Sequence, residues 1–225
     1  MIEIKARSGW STKVYEPLIT HRWAFYAHDP AAALQKLCQL PQKTIQSILE
    51  HLYANTPVAR TNLAAFKLCK VVESIPFEST YHRDMLELLN DNTTCDFSLL
   101  GRDSNEPVTV HSFMLSARSA MFRQLFSNTP EMMQYQDQNM CRNALVMFTT
   151  YLYTGRLDPI DEVALIDLYG AGRFYGLRDP EEIDYLATSA LEKILSQQNA
   201  PAALQRAQQR ELPEVIELIK RKYPY

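Results

Sequence analysis

His111, Ser112 and Asp96 are the residue types from which a base, a nucleophile and an orienting carboxylate could be assembled. Acyl transfer needs such groups to converge on one reacting atom. His111, however, closes the alternating run Val108-Thr109-Val110-His111, and no credible converging set is found around it. Cys141 has no histidine near it in sequence and reads as an idle or buried thiol. The acidic run holding Asp158, Asp161 and Glu162 lacks the glycine and the ligand rhythm of a calcium loop, so a solvated loop and helix start is expected. Gly170 and Gly172 fall inside a helical pattern, where small residues permit close packing, and no phosphate-cradling loop is present. The four cysteines lie far apart and the five histidines supply no zinc spacing. No catalytic set, metal site or cofactor is expected.

The elements that position these residues belong to an ordinary globular composition, 46% apolar and 22% charged over 225 residues. That length allows one or two domains with a sizeable core. A net charge of −3, split as +2 over residues 1–90 and −5 over 91–225 with no basic stripe, argues against a nucleic-acid partner. No apolar run approaches the ~18 residues of a membrane span, and residues 1–5 lack the order of a signal peptide. Reduced, packed cysteines then fit a cytoplasmic or nuclear location.

Residues 95–177 organise the chain. Cys95-Asp96-Phe97 opens an alternating run to Gly101, and a second run ends at His111. Residues 112–126 follow with Met114, Leu115, Met121, Phe122, Leu125 and Phe126 on one helical face. Residues 144–153 and 163–177 form two more helical patterns. Four blocks recur here in order: Cys95-Asp96-Phe97; Val110, His111, Leu115, Arg118, Ser119, Phe122, Leu125 and Phe126; Tyr151-Leu152-Tyr153-Thr154-Gly155; and Ala171, Phe174, Gly176 and Leu177. In these blocks the stretch resembles a BTB/POZ domain. The resemblance implies an α+β fold, a helical cluster flanked by a small mixed sheet, in which Val110, Phe122, Phe148 and Phe174 share one interior.

It also implies a non-enzymatic interaction protein. BTB domains dimerise through a leading helix, placed here after a cap at Ser79 or Thr80 and running to Asn90. Tyr81, Met85, Leu88 and Leu89, with Arg118 and Ser119 under them, are the expected dimer residues. Many members bind a cullin scaffold as the substrate adaptor of a ubiquitin ligase, through an apolar-x-acidic triplet past the Leu-Phe helix end. Here Glu131 supplies the acid and Thr129 replaces the apolar residue, while Phe126, Met132, Met133 and Tyr135 offer apolar contact around Glu131. Ser112 stands where a basic residue is common, so Asp96 needs hydrogen bonds in place of a charge partner.

Residues 1–78 read as a degenerate, shortened copy of the same unit. At an offset of 96, Val14-Tyr15 matches Val110-His111, Arg22 matches Arg118 and Tyr26 matches Phe122. At 100, Leu40, Ile45, Ile48 and residues 51–53 match Met140, Leu145, Phe148 and residues 151–153, and Ala64, Leu68 and Val71 continue the series. Three segments are therefore expected: a degenerate repeat over 1–78, the BTB domain over 79–195, and a short helical extension over 196–225 like the BACK or three-box region. The chain then dimerises, or it is a structural or regulatory protein whose two copies form an internal pseudo-dimer that occupies the dimer face, with no cullin binding.

Overall fold

The computed structural model describes residues 1–54 and 77–224. The expected repeat positions Ala64, Leu68 and Val71, and the boundary at Pro76, lie outside them. The chain divides into two compact units, Met1–Asp91 and Asn92–Tyr225.

In the first unit β1 (Ile2–Lys5) and β2 (Ser11–Val14) pair antiparallel, Ile2 against Val14 and Ile4 against Thr12. Gly9 at φ +86° makes the turn between them, a backbone that side chains resist. Then come α1 (Glu16–Arg22), α2 (Ala24–His28), α3 (Pro30–Cys38), α4 (Gln42–Ala54) and α5 (Phe77–Asn90). Asp29 caps α3 by accepting from the Ala32 amide at 3.0 Å. Ile45, Ile48 and Leu52 recur at helical spacing on α4, and that face meets Ile4, Val14, Ile19, Trp23, Tyr26 and Leu37 in one core.

The second unit starts with β3 (Phe97–Leu100), paired antiparallel with β4 (Val108–Val110) and parallel with β5 (Gln134–Gln136). β5 had no alternating signal long enough to read. The helices are α6 (Ser112–Arg118), α7 (Ala120–Asn128), α8 (Arg142–Thr154), α9 (Glu162–Leu168), α10 (Ala171–Tyr175), α11 (Pro180–Ile194), α12 (Ala200–Gln209) and α13 (Pro213–Lys222). Gly155, left-handed at φ +70°, ends α8 where the Thr-Gly pair stands.

Three expectations are corrected. Residues 112–126 are not one helix: Ser119 is extended, and its hydroxyl oxygen accepts from the Phe122 amide at 3.1 Å to start α7 afresh. Residues 163–177 break at Gly170, φ +83°, between α9 and α10. Gly172 does permit close packing, since a Cβ there would lie 2.2 Å from the Pro180 carbonyl oxygen. Finally Phe174 is 52% exposed, while Val110, Phe122 and Phe148 are buried. Tyr175 takes the expected place in the core, 5.3 Å from the Phe122 ring and 4.6 Å from that of Phe148. The break at Gly170 re-phases the following turn, which turns the neighbouring ring inward.

Candidate protein-interaction surfaces

His111 sits at the junction of β4 and α6, fully buried. Its amide donates to the Tyr153 hydroxyl at 2.9 Å, Nδ1 lies 2.6 Å from that hydroxyl, and Nε2 lies 2.9 Å from Thr94 Oγ1. Ser112 turns elsewhere: its hydroxyl donates to Asp96 Oδ2 at 2.7 Å and its amide to Oδ1 at 2.6 Å. The imidazole and the hydroxyl thus serve different partners, and no base–nucleophile hydrogen bond joins them. Asp96 is held by uncharged donors, as a serine at position 112 requires. Cys141 is the cap of α8, its sulfur accepting from the Ala144 amide at 3.4 Å, and burial pushes the thiol up to about 11. Among the described residues no cluster of His, Cys, Asp and Glu could hold a metal ion, and no helix is long and apolar enough to cross a membrane.

The expected leading helix is α5, and α1 packs along it. Met85 and Leu88 are 1% and 0% exposed, and Tyr81 and Leu89 are half-buried. The Arg22 side chain on α1 is only 3% exposed. Its guanidinium lies 4.6 Å from the centre of the Tyr81 ring, with Nε 3.8 Å from Asp84, and it donates to the His51 carbonyl at 3.5 Å. His21 Nε2 lies 3.5 Å from Asp91 at the end of the same helix. Burial presses the Arg22 pKa down and the Asp84 charge opposes it, so the cation is held by the pairing. The face on which α5 lies is therefore built around one desolvated arginine.

Of the two residues expected beneath the leading helix in the second unit, Arg118 is exposed. Ser119 is fully buried; its hydroxyl donates to the Tyr175 carbonyl at 2.6 Å, and it bridges to Leu177. The helix break at Ser119 is thus closed by the chain at 175–177.

The Glu131 surface lies in the loop from α7 into β5. Glu131 is exposed and Met133 is 67% exposed, with Met132 half-buried between them. Phe126 and Tyr135 are half-buried, their rings 4.9 Å from Phe97 and 5.6 Å from Phe122 respectively. Those two rings anchor the loop on the core, and Met133 and Glu131 project from it. Thr129 donates its hydroxyl to the Leu125 carbonyl at 2.7 Å, closing α7.

Asp167 is the cluster centre that sequence reading missed. Its carboxylate, fully buried on α9, pairs with Arg102, receives Arg206 at 2.6 and 2.7 Å, lies 3.6 Å from Arg210, and accepts the Cys141 amide at 3.0 Å. Arg206 is on α12 and Arg210 is its C-cap, so this one carboxylate fastens the C-terminal helices to the rest of the second unit. The signal was present: Asp167 interrupts the buried face formed by Ala164, Leu165 and Leu168, and an acid in an apolar stripe calls for a cation.

With this geometry in hand, comparison with known proteins identifies the module. The chain is 30% identical over 132 residues to the regulatory protein NPR4 of Arabidopsis thaliana, a match covering 53% of this chain and 21% of that protein, so the chain spans about a fifth of that relative. Among solved structures, the BTB domain of human gigaxonin aligns over 52% of this chain and 94% of its own at 18% identity and a TM-score of 0.40. The BTB domain of zebrafish PATZ1 aligns over 51% and 94% at 20% identity and 0.39. The family model of the BTB/POZ domain matches residues 85–184, spanning the end of α5, the sheet and the helices through the start of α11. Residues 85–184 therefore match the BTB/POZ domain family.

Proposed function

We propose that this chain is a non-catalytic protein-binding scaffold in which the leading helix of the BTB domain is satisfied from within the chain, leaving the Glu131 surface free to dock a partner. The observation that carries the reading is the seat of α5 on α1. Met85 and Leu88 are already withdrawn from water, and Arg22 spends a desolvated charge on Tyr81 and Asp84. A second copy would have to displace those contacts to use the same helix.

The first unit as a shortened copy of the second supports this. α1 and α6 are each seven residues at an offset of 96, and α4 and α8 are each thirteen at an offset of 100. Trp23 and Ser119, both extended, break the chain at the same place, their amides donating to Ile19 and Leu115 at 2.9 and 2.8 Å. The Tyr15 amide donates to the Tyr53 hydroxyl at 2.6 Å, as His111 does to Tyr153 at 2.9 Å. Matching hydrogen bonds between matching positions are harder to reach by chance than matching apolar spacing. On this reading α5 meets in the first unit the face that a BTB partner presents, and the chain is an internal pseudo-dimer.

For the docked partner, the resemblance implies a cullin scaffold of a ubiquitin ligase, with Glu131, Met132 and Met133 over Phe126 and Tyr135 as the contact. An exposed thioether beside an acid suits an adaptable apolar contact with a polar rim. Light scattering of the purified chain is expected to give the 25.9 kDa monomer. Met85→Glu is expected to unfold it without passing through a dimer-to-monomer change. A stable dimer that Met85→Glu splits would refute the internal seat. Pull-down with a cullin, wild type against Glu131→Lys, tests the docking half: capture abolished by the substitution supports it, and no capture of either removes the cullin.

A further inference from the structure

Arg102, Arg206 and Arg210 gather three guanidiniums around the single carboxylate of Asp167. Arg102 follows β3, Arg206 stands on α12 and Arg210 caps that helix, so the cluster joins the sheet to the C-terminal helices. The Arg102 and Arg206 head groups lie side by side. Nη1 of the first and Nη2 of the second both donate to the Asn139 carbonyl, at 2.6 and 3.3 Å, and the two arginines take different oxygens of Asp167. Like charges this close repel. Arg210 feels it: burial presses its pKa down, Asp167 opposes that, and Arg206 and Arg102 press it down further.

The charges here do not balance. Asp167 offsets one of three cations. Asp137 lines a small cavity with Asp167 and Arg210, and counting it still leaves a surplus of one. Its oxygens are also taken already, by the amides of Asn139 and Met140 and by the Tyr175 hydroxyl. The donors do not balance either. Arg102 works through Nη1; among the described residues its Nε and Nη2 meet no acceptor, and its side chain is 24% exposed. That Nε–Nη2 edge is a fork able to grip two oxygens of one oxyanion. On the neighbouring head group, Arg206 Nη1 reaches the exposed Gln209 Oε1 at 3.3 Å, a long bond that is cheap to exchange.

We infer that Arg102 and Arg206 form a binding site for a phosphate dianion, either free or as the monoester group of a small metabolite. The open edge of Arg102 takes two phosphate oxygens, and Arg206 Nη1 leaves Gln209 for a third. Two negative charges answer a surplus of one to two positive ones, which a chloride or a single carboxylate would not fully offset. The bound group ties the loop after β3 to α12, so occupancy tightens the seat of the C-terminal helices. β3 and β5 run parallel, which puts Arg102 at the opposite end of that pair from Glu131. The site is thus independent of the docking reading.

Titration calorimetry of the full chain with inorganic phosphate and with glycerol 3-phosphate, each against sodium chloride of equal ionic strength, is the test. One saturable site per chain is expected, and the tighter of the two ligands names the source. About 20 mM phosphate should raise Tm by roughly 3 °C or more. Phosphate also stabilises any fold by exclusion from its surface, so the shift is read against Arg102→Gln. That variant leaves Asp167 its pairs with Arg206 and Arg210; it should keep the general part of the shift and lose about tenfold or more in affinity. Hydrogen exchange on the wild type needs no variant: phosphate should slow the amides of α12 more than those of α6. No saturable heat with either ligand, equal Tm shifts in wild type and Arg102→Gln, or slowing spread evenly over both helices overturns the site.

Discussion

Replacing Asp167 with alanine should loosen the C-terminal helices before anything else in the second unit. The carboxylate has no exposed surface, while Arg102, Arg206 and Arg210 keep 24%, 16% and 21% of their side chains in water. Breaking a buried pair by deleting one partner costs roughly 3–5 kcal/mol because the remaining charge is stranded. Three guanidiniums then crowd one site, but their partial hydration relieves part of the repulsion, which puts the expected cost near the lower end, about 3 kcal/mol. For a unit of this size that corresponds to a fall in Tm of roughly 10 °C. Calorimetry gives the Tm. Limited proteolysis in the 196–212 segment should accelerate at temperatures where the wild type resists, because Arg206 and Arg210 belong to the helix that is released. Arg206→Met, destabilising alone, should recover stability in the Asp167→Ala background, where it removes a stranded charge. A Tm within about 2 °C of wild type would show that the arginines are satisfied by their carbonyl contacts at Asn139, Asp167 and Tyr169 and that the carboxylate contributes little.

The further expectations concern single groups. Tyr153→Phe and Tyr53→Phe each remove the hydroxyl that accepts an amide at the strand-to-helix junction, and urea unfolding should show a loss of about 1–3 kcal/mol for each. Gly172→Ala drives a Cβ into the Pro180 backbone, so separation of α10 from α11 at a cost of roughly 2 kcal/mol or more is expected by the same measurement. Burial raises the pKa of Tyr53, Tyr151 and Tyr175, that of Tyr26 to about 12 and that of Cys141 to about 11. Groups raised in the folded state contribute stability that is fully present below their unfolded values, roughly 8.5 for the thiol and 10 for the phenols, and that is lost as pH rises through the folded ones. The urea midpoint should therefore hold near neutrality and fall above about pH 9. Alkylation mapped by mass spectrometry should find Cys141 roughly tenfold or more slower than Cys38 and Cys95, which are half-buried.

The sequence was most legible where a residue type answers a backbone demand. Gly155 after α8, Pro180 at the start of α11 and Pro213 at the start of α13 each mark an end that the structure confirms. It was least legible where a helix breaks without glycine or proline. Apolar spacing runs through residues 112–126 without interruption, and only the closure of Ser119 on Tyr175, 56 residues away in sequence, reveals the kink. β5 escaped notice for a related reason: three residues paired parallel to β3 carry too short a pattern to distinguish a strand from a loop. Arg22 could be matched to Arg118, but its burial depends on α5 returning to α1 from more than fifty residues away, which no local pattern encodes.

The two tyrosine hydrogen bonds answer the same backbone demand in the two units. An amide at the point where a strand turns into a helix has lost its strand partner and lies ahead of the helical ladder, so once buried it needs an acceptor from another element. Tyr153 supplies one to His111, and Tyr53 supplies one to Tyr15, each from the last turns of the thirteen-residue helix. That demand belongs to the backbone and is indifferent to any partner. The break between the short helices behaves differently. Ser119 closes it with a hydroxyl, whereas Trp23 fills the matching place with a ring buried in the core and stacked 6.1 Å from Tyr26. The second unit fills this place with a polar bond and the first with bulk, while an arginine stands one residue earlier in both. Burying Arg22 is costly, because a guanidinium 3% exposed is tolerated only when something charged or aromatic covers it. The buried arginine is therefore explained by α5, whose Tyr81 and Asp84 cover it.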